Sequence, residues 1–181
     1  MLLWLSGLTA GLAQQRNYWK DTATPAIGWA QRLIEPEAAR IVDIDKATLE
    51  ELLEAAPVEG SVTAAQSDFI FTLPTPDGGT EQFRLVNSPI MAPGLARQFP
   101  GMRTFLGKSL DDGHALARID YTHKGFHAMV LKGSDTYYID PFYHNYDHSA
   151  HQVYFRRDFT SEETFNCEVD HAEPIAGNTG G

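Results

Sequence analysis

The residues best suited to chemistry lie close together near the end of the chain, in His144-Asn145-Tyr146-Asp147-His148-Ser149-Ala150-His151. Histidines four residues apart with a third nearby have the outline of a zinc site. A metalloprotease helix also needs both imidazoles on one helical face and a glutamate directly after the first, as general base. Asn145 occupies that place, and the segment follows Asp140-Pro141 with no helical period, so the group reads as a solvated loop. The sequence contains no G-x-S-x-G elbow, P-loop, dinucleotide fingerprint or C-x-x-C pair. Glu50, Glu51 and Glu54 read as a solvated helix face, and Asp111 and Asp112 as turn residues. Asp120 and Asp140 read as strand-edge carboxylates, with Arg118 placed for a cross-strand ion pair. His127 reads as a hydrogen-bonded core histidine. Cys167 is the only cysteine, so no disulfide can form within the chain. In an exported protein such a thiol is an intermolecular partner, a reactive group or a metal ligand.

The elements that must position these residues centre on Ala115 to Pro141. Ala117, Ile119 and Tyr121 alternate with polar neighbours, as do Tyr137 and Ile139. Between them Phe126, Ala128 and Val130 alternate with His127, Met129 and Leu131. Period two over three short runs, with Gly125 and Gly133 in the links, predicts a β-meander. Its middle strand is apolar on both faces, which predicts cover on both sides. Upstream, Arg40 to Ile44 predicts a strand. Asp45 offers an N-cap to a helix reaching Ala56, with Leu49, Leu52, Leu53 and Ala56 on one face. A hairpin is expected around Pro76-Asp77-Gly78-Gly79, then a helical turn from Gly94 to Gln98, a strand near Arg103 to Leu106, and a last strand from Gln152 to Arg157. The predicted fold class is α+β: mainly antiparallel sheet, meander plus hairpins, with one main helix and short helical turns.

The formal charge of −10 argues against nucleic acid and anionic membranes as partners, since both select a basic footprint. Residues 1–13 resemble a signal-peptide core, too short to span a bilayer, and predict a secreted or periplasmic product. Residues 14–35 predict an extended arm packed through Trp19 and Trp29, residues 36–158 the folded domain, and 159–181 a flexible tail. Tyr137, Tyr138, Phe142, Tyr143 and Tyr146 are candidates for an aromatic recognition surface on the sheet, in an independent secreted binding module.

Several blocks in order carry a resemblance. They are Leu73-Pro74-x-Pro76-Asp77-Gly78, Phe83, Ser88-Pro89-Ile90-Met91-Ala92-Pro93, Phe99-Pro100-x-x-Arg103-Thr104-Phe105-x-Gly107, Asp120-x-Thr122-x-x-Gly125-Phe126-His127-Ala128-Met129-Val130, and Tyr138-Ile139-Asp140-Pro141. Together, over about residues 31–158, they resemble the N-terminal, propeptide-like region of bacterial secreted reprolysin-like zinc metalloproteases. The resemblance implies a non-catalytic proregion that assists folding of a metalloprotease domain and can keep it latent, with zinc held by that domain and no cofactor in this chain. It also implies a role for Cys167 as a metal ligand. Proregions of the wider group silence their protease by placing a cysteine thiolate on the open zinc position. Glu168 stands where a glycine often follows such a cysteine, and the alternative is an ordinary free thiol.

Overall fold

The computed structural model describes residues 17–145 and 149–159. The described residues form one antiparallel sheet of nine strands: β1 Lys20–Asp21, β2 Arg40–Asp43, β3 Ile70–Pro74, β4 Thr80–Asn87, β5 Arg103–Ser109, β6 Leu116–Thr122, β7 Gly125–Leu131, β8 Tyr137–Pro141 and β9 Ala150–Phe155. Their order across the sheet is β1-β2-β9-β8-β7-β6-β5-β4-β3. From β3 to β9 each strand pairs with its neighbour in sequence. The short β3–β4, β5–β6, β6–β7 and β7–β8 links allow only hairpin returns, while the longer β4–β5 link carries the short helix Pro93–Ala96 and still returns antiparallel. Gly125 and Gly78, at φ of 110° and 95°, occupy two of the turns where an L side chain would be strained. The helices are α1 Lys46–Glu54 and the short α2 Pro93–Ala96. The α+β class with a dominant antiparallel sheet is therefore the observed one. Among the described residues no helix is long and apolar enough to cross a membrane.

The sheet curls into a half-barrel, and side chains draw its two edges together. The Trp19 indole N–H donates to the Thr72 carbonyl on β3 at 2.9 Å, although Trp19 itself precedes β1 at the opposite edge. Arg40 on β2 donates from Nη1 to the carbonyls of Thr75 and Gly79, at 3.0 and 2.7 Å, in the β3–β4 turn. Its remaining donors hold Asp21 at 2.6 Å. On the inner side Trp19, Phe71, Phe83, Phe105, Phe126 and Ile139 belong to one core, which Leu49 and Leu53 of α1 enter. The helix starts where expected, with Asp45 accepting from the Thr48 amide at 2.8 Å. Gly107 marks a close approach, since a Cβ there would lie 3.1 Å from that of Ala117 and 3.2 Å from that of Phe83.

Two expectations change. Only one side of β7 is covered: Phe126, Ala128 and Val130 are buried, whereas His127 and Met129 are half-buried and Leu131 is exposed. The apolar residues of the second side sit on the open outer face, because α1 and the Trp19 side chain both pack inside. In the arm, Trp19 is a core residue, whereas Trp29 is 67% exposed.

Candidate functional site

The outer face owes its polar cluster to strand register. The β6–β7 turn pairs Thr122 with Gly125, which places Asp120 directly opposite His127. The β7–β8 register pairs Ala128 with Ile139, so Asp140 stands beside His127 on the same face. In β9, Tyr154 faces Tyr138 and lies next to the Gln152 that pairs with Asp140. The side chains complete a chain of contacts. His127 Nδ1 is 2.7 Å from Asp140 Oδ1, and the Tyr154 hydroxyl donates to Asp140 Oδ2 at 2.7 Å. Both carboxylate oxygens are thus engaged, and the Tyr154 ring lies against Tyr138 with centroids 5.6 Å apart. Above the cluster is an open depression of about 540 Å³ bordered by Met102, Arg118, Asp120, Lys124 and Met129, with His127 in its floor. A smaller cleft alongside brings in His144, Leu33 and Ile34.

Burial disfavours the His127 imidazolium, but the Asp140 hydrogen bond and the charges of Asp140 and Asp120 outweigh it, so His127 titrates above its ordinary value. Burial, with the Asp140 charge adding to it, raises Asp120 against the opposing pull of His127. Burial and the Asp140 charge likewise push the Tyr154 hydroxyl up. Bonded to a carboxylate, Nδ1 carries a proton, leaving Nε2 as the nitrogen that can take or give one. The geometry therefore provides a proton-holding, hydrogen-bonding surface.

The titration has a sign that can be checked. A histidine with a raised folded value stabilises the fold fully below its unfolded value near 6.5, and that contribution disappears as pH rises through the folded value. His127→Gln should therefore cost about 1 kcal/mol near pH ~5 and clearly less near pH ~8.5. Urea midpoints of the two chains at both pH values measure this, and a cost that does not change with pH would contradict it.

The structure separates the loop histidines. His144 faces the outer cleft, and its amide donates to the Gln31 carbonyl at 2.8 Å. His151 is fully buried, contrary to a solvated position. It lies edge-on to Trp19 and Phe126 at 5.4 and 5.9 Å. The cause is that β9 begins at Ala150, so period two sends His151 inward. His148 lies outside the described residues, as do Tyr146 and Cys167.

The aromatic surface also changes. Tyr137 is 2% exposed on the inner side, while Phe142 and Tyr143 are buried beneath the arm. Tyr143 Oη donates to the Pro25 carbonyl and accepts from the Ile27 amide, and Arg32 stacks over Phe142 at 4.4 Å. Of the described members only Tyr138 reaches the depression. Arg118 faces Leu106 and Met129 across the strands, so Asp140 pairs with His127 in its place. On α1 the acidic residues are partly engaged: Glu50 accepts from the Tyr121 hydroxyl at 2.6 Å, and Glu54 pairs with Arg103 at 2.8 Å. Asp112 accepts the His114 amide within the β5–β6 connection, as a turn residue does, whereas Asp111 accepts the Gln82 amide of β4 at 3.1 Å.

Among the described residues no group of three or more His, Cys, Asp or Glu is arranged to hold a metal ion. Comparison of the chain with family models, with curated proteins and with solved structures found no match.

Proposed function

We propose that this chain is the non-catalytic proregion of a secreted reprolysin-like zinc metalloprotease, exported to the periplasm or medium, where it assists folding of the protease domain and keeps it latent. The observation that carries the reading is the ordered set of residue blocks from Leu73 to Pro141. These fall on consecutive strands β3 to β8 and their links, and some of their residues turn the sheet or fill its interior. Phe83, Phe105, Phe126 and Ile139 supply the inner layer, and Gly107 permits the close approach beneath them. Zinc belongs to the protease domain in this reading, and the chain contributes a template surface and a thiol. The open depression on the outer face favours one other reading, an independent secreted binding module.

Cys167 is the proposed latency residue. A catalytic zinc keeps one position for water or substrate, and a thiolate displaces water there. Added in trans to the cognate protease domain, the full chain should inhibit peptide hydrolysis, and Cys167→Ser should inhibit at least ~10-fold less, because a hydroxyl is a poor zinc ligand near neutral pH. Inhibition should also weaken as pH falls, since protons compete with zinc for the thiolate. Equal inhibition constants for the two chains would leave steric masking by the sheet as the whole of latency.

A further inference from the structure

The depression over β6–β8 has a cationic border in a chain whose formal charge is −10. Arg118 and Lys124 flank it and have no ion-pair partner among the described residues, and Lys108 extends the same outer face along β5. Of the carboxylates in the floor, Asp140 is taken up by His127 and Tyr154, and Asp120 stands opposite His127. The described chain ends beside this surface: the Phe159 ring lies 6.1 Å from that of Tyr154, whose hydroxyl reaches Asp140. Residues 160–181, which follow directly, contain Glu162, Glu163, Glu168, Asp170 and Glu173 and no lysine or arginine.

We infer that the acidic segment 160–173 docks across the outer face of β8, β7 and β6, with its carboxylates on the Arg118–Lys124 border. The reach is sufficient. Three strand spacings separate Tyr154 on β9 from Arg118 on β6, or ~14 Å. Glu162 and Glu163 can extend ~10–14 Å beyond Phe159, and Glu168 and Asp170 ~30–40 Å. The charges are complementary, and an open surface of this kind binds through screened ion pairs, so the contact is salt-sensitive. This inference does not depend on a protease partner. It assigns the outer face to the chain's own continuation.

The single cysteine makes the test direct. A nitroxide placed on Cys167 of the full chain should broaden the amide resonances of Leu116–Leu131 at low salt. At ~1 M salt, where the screening length falls to about 3 Å, the broadening should disappear. It should also disappear in Arg118→Glu/Lys124→Glu and in Glu162→Gln/Glu163→Gln, the second pair following the described strands in sequence. Unshifted amide resonances elsewhere confirm the fold of each variant. Broadening restricted to Phe155–Phe159, or broadening of β6 and β7 that persists through salt and both charge changes, would overturn the docking.

Discussion

Replacing Phe126 with alanine should lower the unfolding free energy by about 3–5 kcal/mol. Phe126 is fully buried at the middle of the sheet, and its ring meets three separate parts of the half-barrel. Trp19 is 5.6 Å away, Phe71 on the far edge 6.2 Å, and His151 on β9 5.9 Å. Removing the ring leaves a void that no single neighbour can fill, because Trp19 is held by the arm, Phe71 by β3 and His151 by β9. The cost therefore lies toward the upper part of the range for large-to-small changes. Urea denaturation should show a lower midpoint with an unchanged slope, the signature of lost stability without a change in exposed surface. A parental midpoint would mean that the inner face of β7 is not the core.

Trp19→Ala should cost a similar amount, about 3–5 kcal/mol, for a different reason. Trp19 is 3% exposed and belongs to the arm before the two-residue strand β1, yet its indole reaches the Thr72 carbonyl on the opposite edge. The substitution removes the packing and leaves a buried carbonyl without its donor, a loss of about 1–3 kcal/mol by itself. Trp19→Phe separates these contributions, since it keeps most of the ring and loses the hydrogen bond. Its cost should fall well below that of alanine. If Trp19→Ala changes stability by no more than ~0.5 kcal/mol, as an ordinary surface substitution does, the arm plays no part in holding the barrel edges together.

These two residues also show what can and cannot be read from the chain. Phe126 is legible because Phe126, Ala128 and Val130 alternate over a full strand, and the Asp45 cap with Leu49 and Leu53 is legible by the same local logic at helical period. Trp19 is not, because a two-residue strand has no period and its partner Thr72 is 53 residues away. Alternation identifies the two faces of a strand but not which neighbours cover them. For that reason the Met129 and Leu131 side of β7 was expected to be buried, and Tyr137 and Tyr143 to be displayed. The His127–Asp140–Tyr154 contacts were legible in principle. Counting outward from the Thr122–Gly125 turn places Asp120 against His127, and the next hairpin brings Asp140 alongside. What the count cannot supply is Tyr154, because the long β8–β9 connection leaves the register of the last strand open.

The most direct test of the proregion reading is refolding. The cognate metalloprotease domain, unfolded in denaturant and diluted with zinc, should recover substantially more activity when refolded with an equimolar amount of this chain and then freed of it by dissociation or proteolysis. Phe126→Ala, which weakens the template, should reduce the gain. A recovered activity that is the same with the chain, with Phe126→Ala and with an unrelated acidic protein of similar size would contradict the proregion account.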